Sequence, residues 1–228
     1  MHYRSVIPGS FVARPNRFVA QVETADGMQT VHVKNTGRCR ELLVPGARVY
    51  LAEGENPARK TRYDLVAVEK GSRLINMDAQ APNQVFGEWA EAGGFLPDAT
   101  AVRREVRYGD SRLDFCLETP RGPHWVEVKG VTLENDGLAR FPDAPTERGV
   151  KHLQELRHMA ESGLTATLFF VVQMAGIRSV SPNDETHPAF GDALRQAARA
   201  GVQILAYDCA VTPDSIRIGS PVPVRWEG

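Results

Sequence analysis

The period of the apolar residues changes near Pro82, and that change constrains the fold more than any other feature of the 228-residue chain. Before it, short runs alternate with a period of two, as half-buried strands do. "RFVAQVET" sets Phe18, Ala20 and Val22 on one face, and "QTVHVKN" puts Val31 with Val33. "ARVYLAE" pairs Val49 with Leu51, and "YDLVAVEK" adds Leu65 within an apolar run. Turn signals at Asp26-Gly27, Pro45-Gly46 and Glu53-Gly54 separate them. About five short strands within about eighty residues predict a small closed barrel. An OB-like barrel is the form we expect, although the pattern alone does not separate it from an SH3-like one.

After Pro82 the periods mix. "NQVFGEWAEAGGF" reads as a helix with Asn83 as its N-cap and Gly93-Gly94 as its stop. The strand-like runs "AVRREVRYG", "SRLDFCLE" and "HWVEVKG" follow. "TERGVKHLQELRHMAESG" is a helix whose stripe is Val150, Leu153, Leu156 and Met159, ended by Gly163. "TATLFFVVQ" is apolar nearly throughout, as a strand covered on both faces is. The helix "PAFGDALRQAARAG" then leads into the strand "VQILAYD". The reading is therefore a barrel over residues 1–81 and a mixed α/β sheet flanked by helices over 82–228.

Composition narrows the setting. The chain is 42% hydrophobic, enough for one large or two small cores. It has no apolar run long enough to span a membrane, and "MHYRSVIPGSFVARPNRF" lacks the layout of a signal peptide. Cys39, Cys116 and Cys209 are widely spaced and form no CxxC pair, which points to a reducing, cytoplasmic location. A formal net charge of −1 means that a nucleic-acid partner has to be met by a local basic patch. A homo-oligomer is left open.

The chemistry lies in "SRLDFCLETPRGPHWVEVKG". Alternation puts Leu113, Phe115 and Leu117 on one face of the first strand and Asp114 on the other. On the second strand Trp125, Glu127 and Lys129 share a face. A hairpin turn at "TPRGP" brings Asp114 towards Glu127, with Lys129 one pleat further on. Two close carboxylates raise each other's pKa unless a cation neutralises them. Carboxylate and water ligands suit Mg²⁺ or Mn²⁺. The lysine then orients an attacking water or offsets charge on a phosphate. The plain alternative is a solvated strand face on which Glu127 and Lys129 are merely neighbours.

The order helix, three strands, helix, strand, with Asp114 on the second strand and Glu127-x-Lys129 on the third, resembles the PD-(D/E)xK nuclease core. The runs "HVKNTGRCRELLVPGARVYL", "SRLDF", "EVKGVTL" and above all "FPDAPTERGVKHLQEL" resemble the sugar fermentation stimulation protein A (SfsA) family over nearly the whole length. That resemblance implies an N-terminal OB-like domain, a nuclease-like C-terminal domain, DNA binding, and a regulatory link to sugar metabolism. It leaves catalysis open, because a nuclease-like fold can bind without cutting.

Supporting residues follow. Arg148, Lys151 and His152 share one helical face near a helix N-terminus, suited to gripping a phosphate or else to solvated pairing with Glu155. Asp143 reads as a turn residue at the helix entry, the alternative being an acid that supports the metal ligands. Related nuclease folds often contribute an acid from the first helix to the metal site; Glu88 is the candidate and Glu91 its rival, with a plain surface role as the alternative for either. Lys34, Arg38 and Arg40 surround a turn at Asn35-Thr36-Gly37 and can track a nucleic-acid backbone, with Arg14, Arg17 and Arg62 as extensions. His124 reads as structural. Three functions compete: a metal-dependent DNA nuclease, a DNA-binding regulator without catalysis, and an RNA-processing nuclease, since an OB barrel does not distinguish RNA from DNA.

Overall fold

The protein is described by a computed structural model over residues 1–35, 37–54, 56, 59–109 and 111–226. Six strands open the chain: β1 (Val6–Asn16), β2 (Val19–Thr24), β3 (Gly27–Val33), β4 (Arg48–Glu53), β5 (Tyr63–Lys70) and β6 (Arg73–Asn76). β1 pairs antiparallel with both β2 and β4, β2 with β3, and β4 with β5. The barrel closes where β3 meets β5 in parallel, at His32 opposite Asp64 and Val33 opposite Leu65. This closed five-strand circuit is an OB barrel, with β6 added beside β5. Ala20, Val22, Val31, Val33, Val49, Leu51 and Leu65 all point into its core, as their alternation requires.

β1 was not anticipated, because Pro8 and Pro15 argue against a strand. Pro15 falls within a register shift between Ala13 and Asn16, where the ladder is already interrupted. β1 serves two partners, β4 from Val6 to Ser10 and β2 from Ser10 to Asn16, and at Gly9 a Cβ would come within 2.4 Å of Val22 Cγ1. Phe18 corrects the expected face: it precedes β2, is 45% exposed, and lies under the Arg17 guanidinium at 4.7 Å.

The rest of the chain forms α1 (Ala81–Glu91), β7 (Ala101–Tyr108), β8 (Ser111–Thr119), β9 (Gly122–Val131), β10 (Glu134–Asn135), β11 (Leu138–Phe141), α2 (Glu147–Glu161), β12 (Thr165–Val172), β13 (Ser179–Pro182), α3 (Pro188–Arg199), β14 (Gln203–Thr212) and β15 (Ser215–Pro221). The main sheet runs β15-β14-β12-β9-β8-β7, parallel through β9, β12 and β14 and antiparallel outside them. α1 covers one face, packing Val85, Phe86 and Ala90 against Phe115, Val126, Val128 and Phe169. α2 and α3 cover the other with Leu153, Leu156, Met159, Phe190 and Leu194. Phe169 and Val171 of β12 join the first group, Leu168, Phe170 and Val172 the second, which explains its unbroken apolar run.

α1 begins earlier than its expected cap. Pro82 occupies the first turn, where a missing N–H costs nothing, and Gln80 is the N-cap, so Asn83 lies inside the helix. α2 starts as expected, with Thr146 Oγ1 accepting from Gly149 N at 3.1 Å, and Gly163 follows it at φ +83°. The small sheet β10-β11-β13 was not anticipated, since elements of two to four residues carry too little period to be read; the last strand β15, of seven residues, was also not anticipated.

The two domains are stitched together by buried polar groups. Gln173 Nε2 donates to Asn76 Oδ1 at 2.9 Å and to the Asp78 carbonyl at 3.0 Å. Glu134 accepts from Lys70 Nζ at 3.1 Å and from Arg73 at 2.7 Å. The first residues return to the second domain, Tyr3 N donating to the Asp214 carbonyl at 2.7 Å. No helix among the described residues is long and apolar enough to cross a membrane.

Candidate active site

β8 and β9 pair from Thr119 opposite Gly122 to Phe115 opposite Val126, and there the ladder ends. The next residue, Asp114, takes the Val128 N–H on its own Oδ2 at 2.8 Å in place of a backbone bond. Its Oδ1 accepts from Asn83 Nδ2 at 2.7 Å, so the first turn of α1 and strand β9 hold the carboxylate between them. The departure of β8 from β9 also corrects the expected face. Phe115 and Leu117 pack under α1, but Leu113 joins the core that contains Trp125 on the α2 side.

On β9 the alternation holds. Val126 and Val128 pack under α1, while Glu127 and Lys129 turn to the α2 side. Glu127 is 2% exposed. Its Oε1 takes Lys129 Nζ at 2.5 Å and the imidazole Nδ1 of His152 from α2. Its Oε2 is buried with no partner among the described residues. Arg148 Nε lies 3.3 Å from His152 Nε2. A guanidinium only donates, so His152 Nε2 is the acceptor, the ring proton sits on Nδ1, and Nδ1 donates to Glu127. The chain Arg148–His152–Glu127–Lys129 thereby fixes one oxygen of the carboxylate and leaves the other bare.

The two acids are shifted in opposite directions. Burial, then the charge of Glu127, pushes the Asp114 carboxyl up, against the Val128 N–H, Lys129 and Asn83. Burial also pushes Glu127 up, but His152 and Lys129 outweigh it and hold the carboxyl below the usual glutamate range. Asp114 is thus the acid short of positive charge. Among the described residues no three His, Cys, Asp or Glu side chains converge as a ready metal cage. Two carboxylates, one with an unclaimed buried oxygen, nevertheless suit Mg²⁺ or Mn²⁺, which complete their shells with water and substrate phosphate.

The first helix does not bring Glu88 to this point. Glu88 accepts from the Met1 amino group and, at 3.1 Å, from Gln84, while Glu91 pairs with Arg104 at 3.0 Å. Asn83 is the α1 residue that reaches the site. Its role was missed because an asparagine opening a helix reads as a cap; His152 was grouped with Arg148, but its carboxylate partner on another element carries no sequence signal.

Residues 12–77 match the family described as the SfsA N-terminal OB domain, and residues 80–215 match the sugar fermentation stimulation protein RE domain. The chain belongs to the SfsA family. A sugar fermentation stimulation protein homolog of Desulfitobacterium hafniense (strain Y51) is 53% identical over 225 residues, covering 99% of this chain and 98% of the homolog. That of Clostridium beijerinckii is 50% identical over 224 residues, covering 98% and 99%. The solved structure of Pyrococcus furiosus SfsA in complex with Ca²⁺ superposes with a TM-score of 0.88 at 29% identity, covering 99% of this chain and 98% of that one.

Within this SfsA chain the basic residues divide into two groups. Lys34 is committed to the buried Asp78 at 2.7 Å, and Arg14 spends its guanidinium on the carbonyls of Arg17, Asn35, Gly37 and Arg38, which shapes the β3–β4 loop. Thr36 of the expected turn lies outside the described residues. Arg38 and Arg40 flank the buried Cys39, are exposed, and make no ion pair among the described residues. Arg148 is exposed apart from its contact with His152, and Lys151 is 3.8 Å from Glu155. Arg62 pairs with Glu53 at 2.9 Å. His124 is buried against Thr167 Oγ1 at 2.8 Å and fills a structural place.

Proposed function

We propose that this SfsA-family protein binds nucleic acid, DNA first, and hydrolyses its phosphodiester bonds with Mg²⁺ or Mn²⁺ held between Asp114 and Glu127. The observation that carries this reading is the state of Glu127: one oxygen saturated by Lys129 and His152, the other buried and unclaimed. The ion, when bound, polarises a phosphate oxygen and lowers the pKa of its water. Asn83 and the Val128 N–H hold Asp114 in place, and His152 holds Glu127. Lys129 supplies a positive charge where negative charge builds on the phosphate. Arg148 and Lys151 at the start of α2, with Arg38 and Arg40 of the barrel loop, take flanking phosphates. The calcium named with Pyrococcus furiosus SfsA supports a divalent ion in this family.

A second reading is binding without cleavage. It is favoured by both Asp114 oxygens already accepting hydrogen bonds. In either case a nucleic-acid-directed protein would act on sugar metabolism through gene expression, in keeping with the name its relatives carry. The test is incubation of pure protein with single- and double-stranded DNA and RNA in Mg²⁺, Mn²⁺ or chelator. Metal-dependent cleavage lost in Asp114→Asn supports the nuclease. Binding without cleavage in any metal supports the second reading.

A further inference from the structure

Where the domains meet, a cavity of about 120 Å³ opens between the barrel's β3–β4 loop and the segment after β11. Asn35, Pro82, Gly130, Arg140, Asp143 and Gln173 are among its walls. It begins at Gly130, the residue after Lys129. A side chain there would close it, since a Cβ would lie 2.5 Å from Pro82 Cγ and 2.6 Å from Gln173 Oε1. The barrel loop comes equally close: a Cβ on Gly37 would lie 2.4 Å from Asp143 Oδ2.

Three polar groups facing this space lack partners among the described residues. Arg140 is only partly exposed, yet its guanidinium meets no carboxylate. Asp143 makes no ion pair, with Arg140 or with any other cation. Gln173 gives all its side-chain hydrogen bonds through Nε2 and leaves Oε1 free. Withdrawing a cation from water without an anion is unfavourable, so the arrangement calls for a ligand. That ligand has an anionic group for a planar guanidinium and N–H or O–H donors for two acceptors. A nucleotide unit has both, in its phosphate and in its base or sugar. At about 10–15 Å³ per water on this measure, the cavity has room for one such group and not for a duplex.

We propose that this cleft binds one nucleotide unit of a single strand beside the scissile phosphate, Arg140 taking its phosphate and Asp143 with Gln173 Oε1 its base or sugar donors. The proposal rests on the nucleic-acid reading above and adds the substrate class, a strand unpaired at this point. The test is fluorescence anisotropy of labelled single-stranded homopolymers across a salt series, in an Asp114→Asn background without metal, so that cleavage plays no part. Arg140→Ala should weaken binding about tenfold and lower the log–log salt slope by about one. Arg140→Lys, which keeps the charge and cannot fork, should restore the slope and only part of the affinity. Asp143→Asn should leave the slope alone and change the ranking of the homopolymers. Unchanged melting temperatures separate these effects from misfolding. If the parent protein binds and both Arg140 variants match it in affinity and slope, the cleft is not a nucleotide site although the nucleic-acid reading stands. If the parent protein binds duplex DNA or RNA but no single strand at any salt, the proposal is overturned while the nucleic-acid reading stands; if it binds neither, both are overturned.

Discussion

Asn83 Nδ2 stands 2.7 Å from Asp114 Oδ1 and ties the first turn of α1 to the point where β8 leaves β9. The bond holds a carboxylate in place that its surroundings would rather protonate, because burial and the Glu127 charge both push Asp114 up. In the protein without metal, Asp114→Asn removes the buried charge and keeps only one of the two accepted bonds, so it should raise the melting temperature at neutral pH where the relief of charge exceeds the lost bond. Millimolar Mg²⁺ or Mn²⁺ should raise the parent's melting temperature and leave the variant's unchanged. Binding to the folded form alone stabilises by about 2.7 kcal/mol at a hundredfold excess over Kd. Equal shifts in both proteins would place the ion elsewhere.

Much of the architecture was legible because period-two and helical stripes were clean: β2 to β5, β7 to β9, α2, α3 and the doubly covered β12. The pairing of Glu127 with Lys129 on one face of β9 was legible for the same reason. What could not be read depends on contacts between distant segments. Leu113 changes faces because Asp114 takes a backbone N–H from the neighbouring strand, which no alternation within β8 reveals. Lys34 looked like a free loop cation, but its partner Asp78 lies 44 residues on. Asn83 has the look of a cap, and only the packing of α1 on the sheet gives it Asp114.

Lys34 and the pair Arg38 and Arg40 should therefore respond differently. Lys34→Ala strands the fully buried Asp78 carboxylate and should cost about 3 kcal/mol in urea unfolding. It should leave the salt slope of DNA binding unchanged. Arg38→Ala with Arg40→Ala should leave stability within about 0.5 kcal/mol, as exposed substitutions do. The double variant should weaken binding and flatten the slope by about two phosphate contacts. An unaltered slope would move the footprint away from the barrel loop.

Glu134 makes stability depend on pH across the domain junction. Burial pushes its carboxyl up, but the Gly137 N–H, Lys70 and Arg73 outweigh it and hold it below its ordinary value of 4.5. A depressed acid contributes stability that is fully present above the unfolded value and is lost as pH falls through the folded one. Glu134→Gln should cost about 3 kcal/mol at pH 7, since it leaves two cations without their carboxylate. The difference between parent and variant should shrink in urea titrations taken from about pH 7 to about pH 3. A constant difference across that range would mean that packing, not charge, is what Glu134 contributes.

Lys129 and His152 both bind Glu127 Oε1, yet their loss should be told apart by what survives. On the nuclease reading, Lys129→Ala removes a charge placed to act on the phosphate as the bond breaks. It should lower single-turnover cleavage by about a hundred- to a thousandfold, with Mn²⁺ affinity and DNA affinity largely kept. On the same reading His152 is a positioning residue, whose contact with Glu127 Oε1 leaves Oε2 bare. His152→Ala should weaken Mn²⁺ affinity, measured by calorimetry, by about 10- to 100-fold, as losing the partner of a metal ligand commonly does. His152→Asn, which keeps a donor to Glu127, should recover part of that affinity. Should His152→Ala bind Mn²⁺ as the parent does while Lys129→Ala loses it, the two roles are reversed, and Lys129 orients Glu127 instead of serving the phosphate.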